Sequence, residues 1–220
     1  MKHLDKEIDR LKRHVLALSA IVEENVGKAV RAAMERDHEL AAAVAGSDRQ
    51  VDEIEVEVEE ECLKILALHQ PVALDLRFII AVLKLNNDLE RIGDLAVNIA
   101  EKVENLGTPD DPPLPIDLAQ ISSRTQAMLR DALDALVNRD PNSARRVCAA
   151  DDDVDDCHHE ISQRVEALLA ETTEAKTVTS LINMLSMSRC LERIADLATN
   201  IAEDIIYMTE GDIVRHAHGS

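Results

Sequence analysis

Aromatic side chains are nearly missing from this chain, which has one Phe (Phe78), one Tyr (Tyr207) and no Trp. Glycine and proline are scarce too, six of each in 220 residues. A sheet protein needs more aromatics and more turn punctuation, so this scarcity argues against β structure. Positive charge is short as well: 24 Lys and Arg stand against 43 Asp and Glu, a net charge of -19. Nucleic-acid binding rests on Lys and Arg replacing counterions, and this balance opposes it. It equally opposes docking on anionic lipid through a basic patch. No apolar run approaches the ~18–20 residues that a membrane span requires. The opening MKHLDKEIDR lacks the apolar stretch of a signal peptide. Cys62, Cys148, Cys157 and Cys190 form no CxxC pair and read as small buried residues of a reducing compartment. A cytoplasmic protein without transmembrane segment is expected.

Signatures of catalysis are also lacking. There is no Gly-rich phosphate loop and no GxSxG elbow. A di-iron oxidase bundle would repeat Glu-x-x-His, and Glu35-x-x-His38 has no partner elsewhere.

What remains is rich in Ala, Leu, Val and Ile, with 46% hydrophobic and 30% charged residues, the mixture of long amphipathic helices. Leu4, Ile8, Leu11, Val15, Leu18 and Val22 alternate spacings of four and three, one stripe on one helical face. This first helix is expected to end near Asp37. A second follows from about Asp37 to His69, with Val51, Ile54, Val58, Cys62 and Ile65 inward, a bend at Gly46-Ser47 and a stop at Pro71. A third covers about Leu74 to Asn105. Four prolines between Gly107 and Pro115 rule out a continuous helix there. Beyond them, helices are expected from about Asp117 to Arg139, Pro141 to Glu171 and Lys176 to Glu210. Asp140-Pro141 serves as a start and Gly211 as a stop.

The two halves repeat. Leu89–Glu101 and Leu191–Glu203 share Leu-Glu-Arg-Ile-x-Asp-Leu-Ala-x-Asn-Ile-Ala-Glu. More faintly, Asp48, Val51, Asp52 and Val58 match Asp151, Val154, Asp155 and Ile161. The expected fold is all-α: six helices forming two pseudo-symmetric three-helix bundles. Residues 1–106 are the first bundle, 107–116 a Pro-rich linker, 117–211 the second bundle and 212–220 a tail.

Glu90 and Asp94 lie one helical turn apart on one face, and Asn98 continues the row beside the apolar Leu89, Ile92, Ala96 and Ile99. Asp48, Asp52, Glu55 and Glu59 form another acidic row. Asp151, Asp155 and His158 face the same choice opposite Glu192, Asp196 and Asn200. Like charges at i and i+4 weaken a helix by roughly 0.2–0.5 kcal/mol per pair. An oxygen-ligated cation such as Mg, Mn or Fe would offset that. A solvated acidic face, with Arg91 and Arg193 neutralising it locally, is the competing reading. Duplication of the pattern in both halves favours a site.

His69-Gln70-Pro71-Val72-Ala73-Leu74-Asp75-Leu76-Arg77, the two Leu-Glu-Arg-Ile-x-Asp segments and the ending Gly211-Asp212-Ile213-Val214-Arg215-His216 carry a resemblance. Over nearly its whole length the chain resembles the PhoU family, regulators of bacterial phosphate-specific transport. The resemblance implies paired E/D-x-x-x-D motifs that bind Fe, Zn, Mn or Mg. Carried over, these are Asp48 with Asp52, Glu90 with Asp94, Asp151 with Asp155 and Glu192 with Asp196. Asn98 and Asn200 extend them, and Glu55 and His158 are further candidate ligands. It also implies a non-enzymatic homodimer at the inner face of the membrane, coupling a phosphate ABC transporter ATPase subunit to a sensor histidine kinase. The alternative from the acidic rows alone is a carboxylate-bridged metalloenzyme in a helical bundle. His158 stands where the first half has Glu55, and Cys190 where it has Asp88.

Overall fold

A computed structural model describes residues 2–111 and 116–211. Residues 112–115 of the expected linker and the tail 212–220 lie outside the described residues. The described residues hold eight α-helices and no strand. They are α1 (Lys2–Glu35), α2 (His38–Ala45), α3 (Asp48–His69), α4 (Ala73–Lys102), α5 (Ala119–Asn138), α6 (Pro141–Ala149), α7 (Asp151–Glu171) and α8 (Ala175–Glu210).

All six expected helical segments are present, and two are broken. The segment 37–69 divides at Gly46-Ser47 into α2 and α3, a full break where only a bend was expected. Asp37 starts α2 by accepting a hydrogen bond from the Leu40 N–H. The segment 141–171 divides likewise at Ala150. Both breaks fall just before the acidic rows, so Asp48 and Asp151 become the first residues of α3 and α7. The aligned N–H groups of a helix start favour negative charge there. The third segment ends earlier than expected, at Lys102, and closes in a 3-10 turn, Val103–Leu106, instead of running helical to Asn105. The cap of α4 is Val72, with no side-chain cap hydrogen bond, and Asp75 lies in the first turn, where the helix start favours negative charge. The stops at Gln70 and Gly211 both adopt positive φ, 44° and 82°. Gly211 meets this without strain, since it has no Cβ.

The apolar stripes read from the sequence point inward. Leu11, Leu18, Val22, Val58, Cys62, Leu89, Ile92 and Ala96 are fully buried. All buried apolar side chains form one cluster through both halves. The join is the long pair α4 and α8, which pack on each other. They run antiparallel: Lys84 Nζ meets Asp204 Oδ1 at 2.9 Å, while Lys102, further along α4, acts on Cys190, earlier in α8, against the burial that raises its thiol. Helices α1 and α5 also touch. Thr125 Oγ1 donates to the Leu191 carbonyl at 3.2 Å, tying α5 to α8 inside the core. The linker start is strapped down as well. Arg36 Nη1 donates to the carbonyls of Thr108 and Asp111 at 2.9 and 3.1 Å. Lys176 Nζ bonds the Asp111 carboxylate.

One glycine sets a helix separation. A Cβ built on Gly93 of α4 would sit 3.2 Å from Val51 Cγ1 of α3, tighter than ordinary contact. The second half has Ala195 and Val154 at these places. Gly93→Val should therefore force α3 off α4 and lower stability by about 1–3 kcal/mol, despite the better helix propensity of valine. Urea unfolding checks this, and an unchanged midpoint would mean that the close approach does not exist.

Candidate metal-binding grooves

Antiparallel packing of α3 on α4 brings the first pair of acidic rows face to face. Burial raises the Asp48 carboxyl above its usual range, and the charges of Asp52, Asp94 and Glu101 add to the shift. Burial likewise raises Glu90, helped by Asp94, Asp52 and Glu55 and opposed by Arg91. Glu55 is raised by burial and by its row neighbours Glu59 and Asp52. Asp48 and Glu90 thus each feel the opposite row.

The second half repeats the arrangement between α7 and α8. Asp151 is pushed up to about 6, first by burial and then by Asp196 and Asp155. The neighbouring Thr199 hydroxyl opposes that rise, yet neither Asp151 Oδ1 nor Thr199 Oγ1 reaches hydrogen-bond geometry with any partner. Burial also raises Asp155, with Asp152 adding to it and His158 opposing. Asp196 is raised by burial and by Asp155 and Glu192.

The closed end of each groove is held by a hydrogen bond across the helix pair. In the first, Asn86 Nδ2 donates to both the backbone oxygen and Oε1 of Glu55, at 2.9 Å each. In the second, His158 Nδ1 pairs with Ser188 Oγ, while Nε2 stands 3.6 Å from Glu192 Oε2. Asn86 and Ser188 are buried and occupy matching positions of the two halves.

Eight of the expected carboxylates lie along the two facing helix pairs, Asp48, Asp52, Glu90 and Asp94 on α3 and α4, and Asp151, Asp155, Glu192 and Asp196 on α7 and α8. The two asparagines do not join them. Asn98 is exposed and donates to the Asp94 carbonyl of its own helix at 2.9 Å. Asn200 lines a different cleft, of about 570 Å³, between α4 and α8, with Lys84, Asp88 and Asp204. The residue facing Asp151 is Thr199, one step earlier. Sequence reasoning missed Asn86, Ser188 and Thr199. It also left out Glu101, although that residue closes the repeated segment and acts on Asp48.

Chemically, the donor set is oxygen-rich, under-neutralised and partly unpaired, which fits a hard or borderline cation. Among the described residues, no three His, Cys, Asp or Glu stand close enough together to hold an ion as placed. A bound ion would have to draw these side chains inward. The cysteines are not part of this chemistry. All four are buried and free, and burial pushes the Cys62 and Cys148 thiols up to about 12 and about 11.

Comparison with known proteins bears on both halves. The PhoU domain model matches residues 15–103 and again 118–205. The phosphate-specific transport system accessory protein PhoU homolog of Pseudomonas aeruginosa is 35% identical over 216 residues, 98% of this chain and 88% of its own. The PhoU protein of Escherichia coli K12 is 32% identical over 97% of this chain and 88% of its own. The crystal structure of PhoU from Pseudomonas aeruginosa superposes with a TM-score of 0.89 at 34% identity, covering 94% of this chain and 99% of that one. The phosphate transport system regulatory protein PhoU from Streptococcus pneumoniae gives 0.87 at 28%, covering 96% and 99%. With two matched domains, an all-helical fold and curated relatives that align over almost its full length, this chain belongs to the PhoU family.

Proposed function

We propose that this protein represses the phosphate-starvation response and restrains phosphate uptake when phosphate is plentiful. The observation that carries this reading is whole-length membership of a family whose relatives are accessory and regulatory proteins of phosphate transport. It is a regulator and not an enzyme. It works by contact, coupling the ATPase subunit of a phosphate ABC transporter to a sensor histidine kinase. No helix among the described residues is long and apolar enough to cross a membrane. Its proposed place is the cytoplasm, at the inner face of the membrane through these partners, as a homodimer. Residues 1–106 and 117–211 are its two repeat units, joined by the 107–116 linker and followed by the 212–220 tail.

Metal ions, of Fe, Mn, Zn or Mg, bind between the facing rows. Asp48, Asp52, Glu90 and Asp94 hold one site, and Asp151, Asp155, Glu192 and Asp196 the other. The support is electrostatic: five of these eight carboxyls are displaced upward by burial and by neighbouring acids, and a cation removes that penalty. Glu55 and His158 stand at the ends of the grooves as further ligands, whereas Asn98 and Asn200 support the site only from its edge. Bound metal would supply positive charge that holds α3 to α4 and α7 to α8, shaping the surface offered to partners.

The test is a cell deleted for this protein. Phosphate-responsive reporter expression should then be high even in phosphate-rich medium, and the wild-type gene should restore repression. A chain carrying Asp48→Asn, Glu90→Gln, Asp151→Asn and Glu192→Gln should restore it less well. An unchanged reporter and unchanged uptake in the deletion would overturn the proposal.

A further inference from the structure

Arg36 and Arg139 occupy matching places in the two halves, 103 residues apart, as Asp48 and Asp151 do. Each follows the last residue of a helix, Glu35 of α1 or Asn138 of α5, with left-handed backbone, φ 52° and 50°. Each precedes the aspartate that caps the next helix. Met34 and Val137, also at matching places, are both 55% exposed. The two guanidinium groups act differently. Arg36 is buried and holds the chain leaving α4 by donating to the carbonyls of Thr108 and Asp111. Ile116 and Leu118, farther along that stretch, line the same hollow as Arg36 and are buried. In the second half no described segment takes that place: α8 runs on to Glu210, whose carboxylate is held by Arg145. Among the described residues the exposed Arg139 guanidinium has no ion pair or hydrogen bond, and it lies 5.9 Å from the centre of the Phe78 ring.

Arg139 borders a cleft of about 280 Å³ between α1, α4 and α5. Leu16, Phe78, Val82 and Val137 give it apolar walls, and its charged residues are Lys12 and Arg139, with no acid among them. In a chain of net charge -19 that is a local reversal of sign. Asp5, Asp9 and Asp75 line the adjoining hollow, where Asp9 pairs with Lys12 at 3.3 Å, so the unpaired charge on the cleft is that of Arg139. A guanidinium presents a planar fork of N–H donors that suits carboxylate oxygens. An apolar cleft with one such fork fits an extended segment that brings an acid and a branched apolar side chain. The stretch that Arg36 holds has this composition: residues 107–118 carry Asp110, Asp111 and Asp117 with Leu114, Ile116 and Leu118. Resting on the reading of this protein as a regulator that works by contact, we propose that the cleft beside Arg139 docks an extended acidic segment of a partner protein. Arg139 takes its carboxylates or carbonyls, and Leu16 and Val137 take its apolar side chain.

The probe is a labelled synthetic peptide with the sequence of residues 107–118, offered to the full-length protein and followed by fluorescence anisotropy. It should bind saturably, and more weakly as salt is raised, because exposed charge pairs are screened. Arg139→Glu should weaken binding by about tenfold or more, the loss of one charge-assisted contact. Val137→Glu should act in the same direction, and replacing the three aspartates of the peptide by lysine should abolish binding. Ile182→Glu, at a similarly exposed apolar residue of α8, should change nothing. All three substituted residues are exposed, so circular dichroism should show wild-type helicity for each variant. No saturable binding, or binding that Arg139→Glu and Val137→Glu leave intact, would overturn the proposal. Two further results would do so by naming another occupant. Tighter binding once the chain is cut after Gly211 would give the cleft to the protein's own tail, and a dimer that Arg139→Glu splits would give it to a second copy. None of these outcomes touches the reporter test of the regulator, so the two readings fail separately.

Discussion

Truncating Leu191 to alanine should cost about 2–5 kcal/mol of stability and lower the melting temperature by roughly 4–20 °C for a chain of this size. Leu191 is 1% exposed and lies in the repeated segment of α8, the helix that touches α4, α5, α6 and α7. Because one core runs through both halves, the cavity would weaken the whole molecule rather than one bundle. A control separates burial from mere hydrophobicity. Leu68, equally apolar, is 67% exposed at the end of α3, and Leu68→Ala should change stability by less than about 0.5 kcal/mol. Chemical denaturation of both variants decides the matter. Equal losses would mean that Leu191 is not a core residue.

The second large effect concerns pH. Asp151 has its native carboxyl raised to about 6 from an ordinary 3.8. The folded protein therefore binds this proton more tightly than the unfolded chain does. The associated stability is fully present below about pH 3.8 and is lost as pH rises through 6. A shift of this size corresponds to about 3 kcal/mol, and solvent screening of a half-exposed group reduces it to about 1–2 kcal/mol. Metal-free protein should accordingly be more stable toward urea at pH 5 than at pH 7.5. Asp151→Asn should raise stability at pH 7.5 and flatten the dependence, because the uncharged amide keeps the shape without the repulsion. A divalent cation at pH 7.5 should stabilise the wild type by about 2.7 kcal/mol at a hundredfold excess over its dissociation constant, and the variant by much less. Stability that is level or rising between pH 5 and 7.5 would contradict the electrostatic account of the groove.

Much of the candidate site was legible before any coordinates. The spacing of Glu90 and Asp94 put both on one face of one helix, and repetition at Glu192 and Asp196 marked that face as more than surface. Helical spacing carries no information across helices, however. It placed Asn98 and Asn200 in the rows because they continue the i, i+4 series. Yet a straight helix of 3.6 residues per turn drifts away from such a series. After two steps the row has rotated enough that Asn200 meets α4 and Thr199 meets Asp151 instead. Asn86 and Ser188 gave no signal, since a lone polar residue within a helix looks alike whether it faces solvent or a buried partner. The breaks at Ser47 and Ala150 were half visible. Gly46 announced the first, whereas Ala150 is a good helix former and announced nothing.

Residue order alone determined the helical class, the six segments, the duplication and the acidic character of the two grooves. These follow from periodicity and charge, which are local properties of the chain. Tertiary packing decided how they combine. It joined the halves along α4 and α8 into one core, because two amphipathic bundles bury more apolar surface together than apart. It also set the acidic rows opposite one another, so that burial and mutual repulsion, invisible in either helix by itself, made them candidate sites for a cation. And it gave Glu55 and His158 different partners, a difference that sequence comparison of the halves could show but not explain.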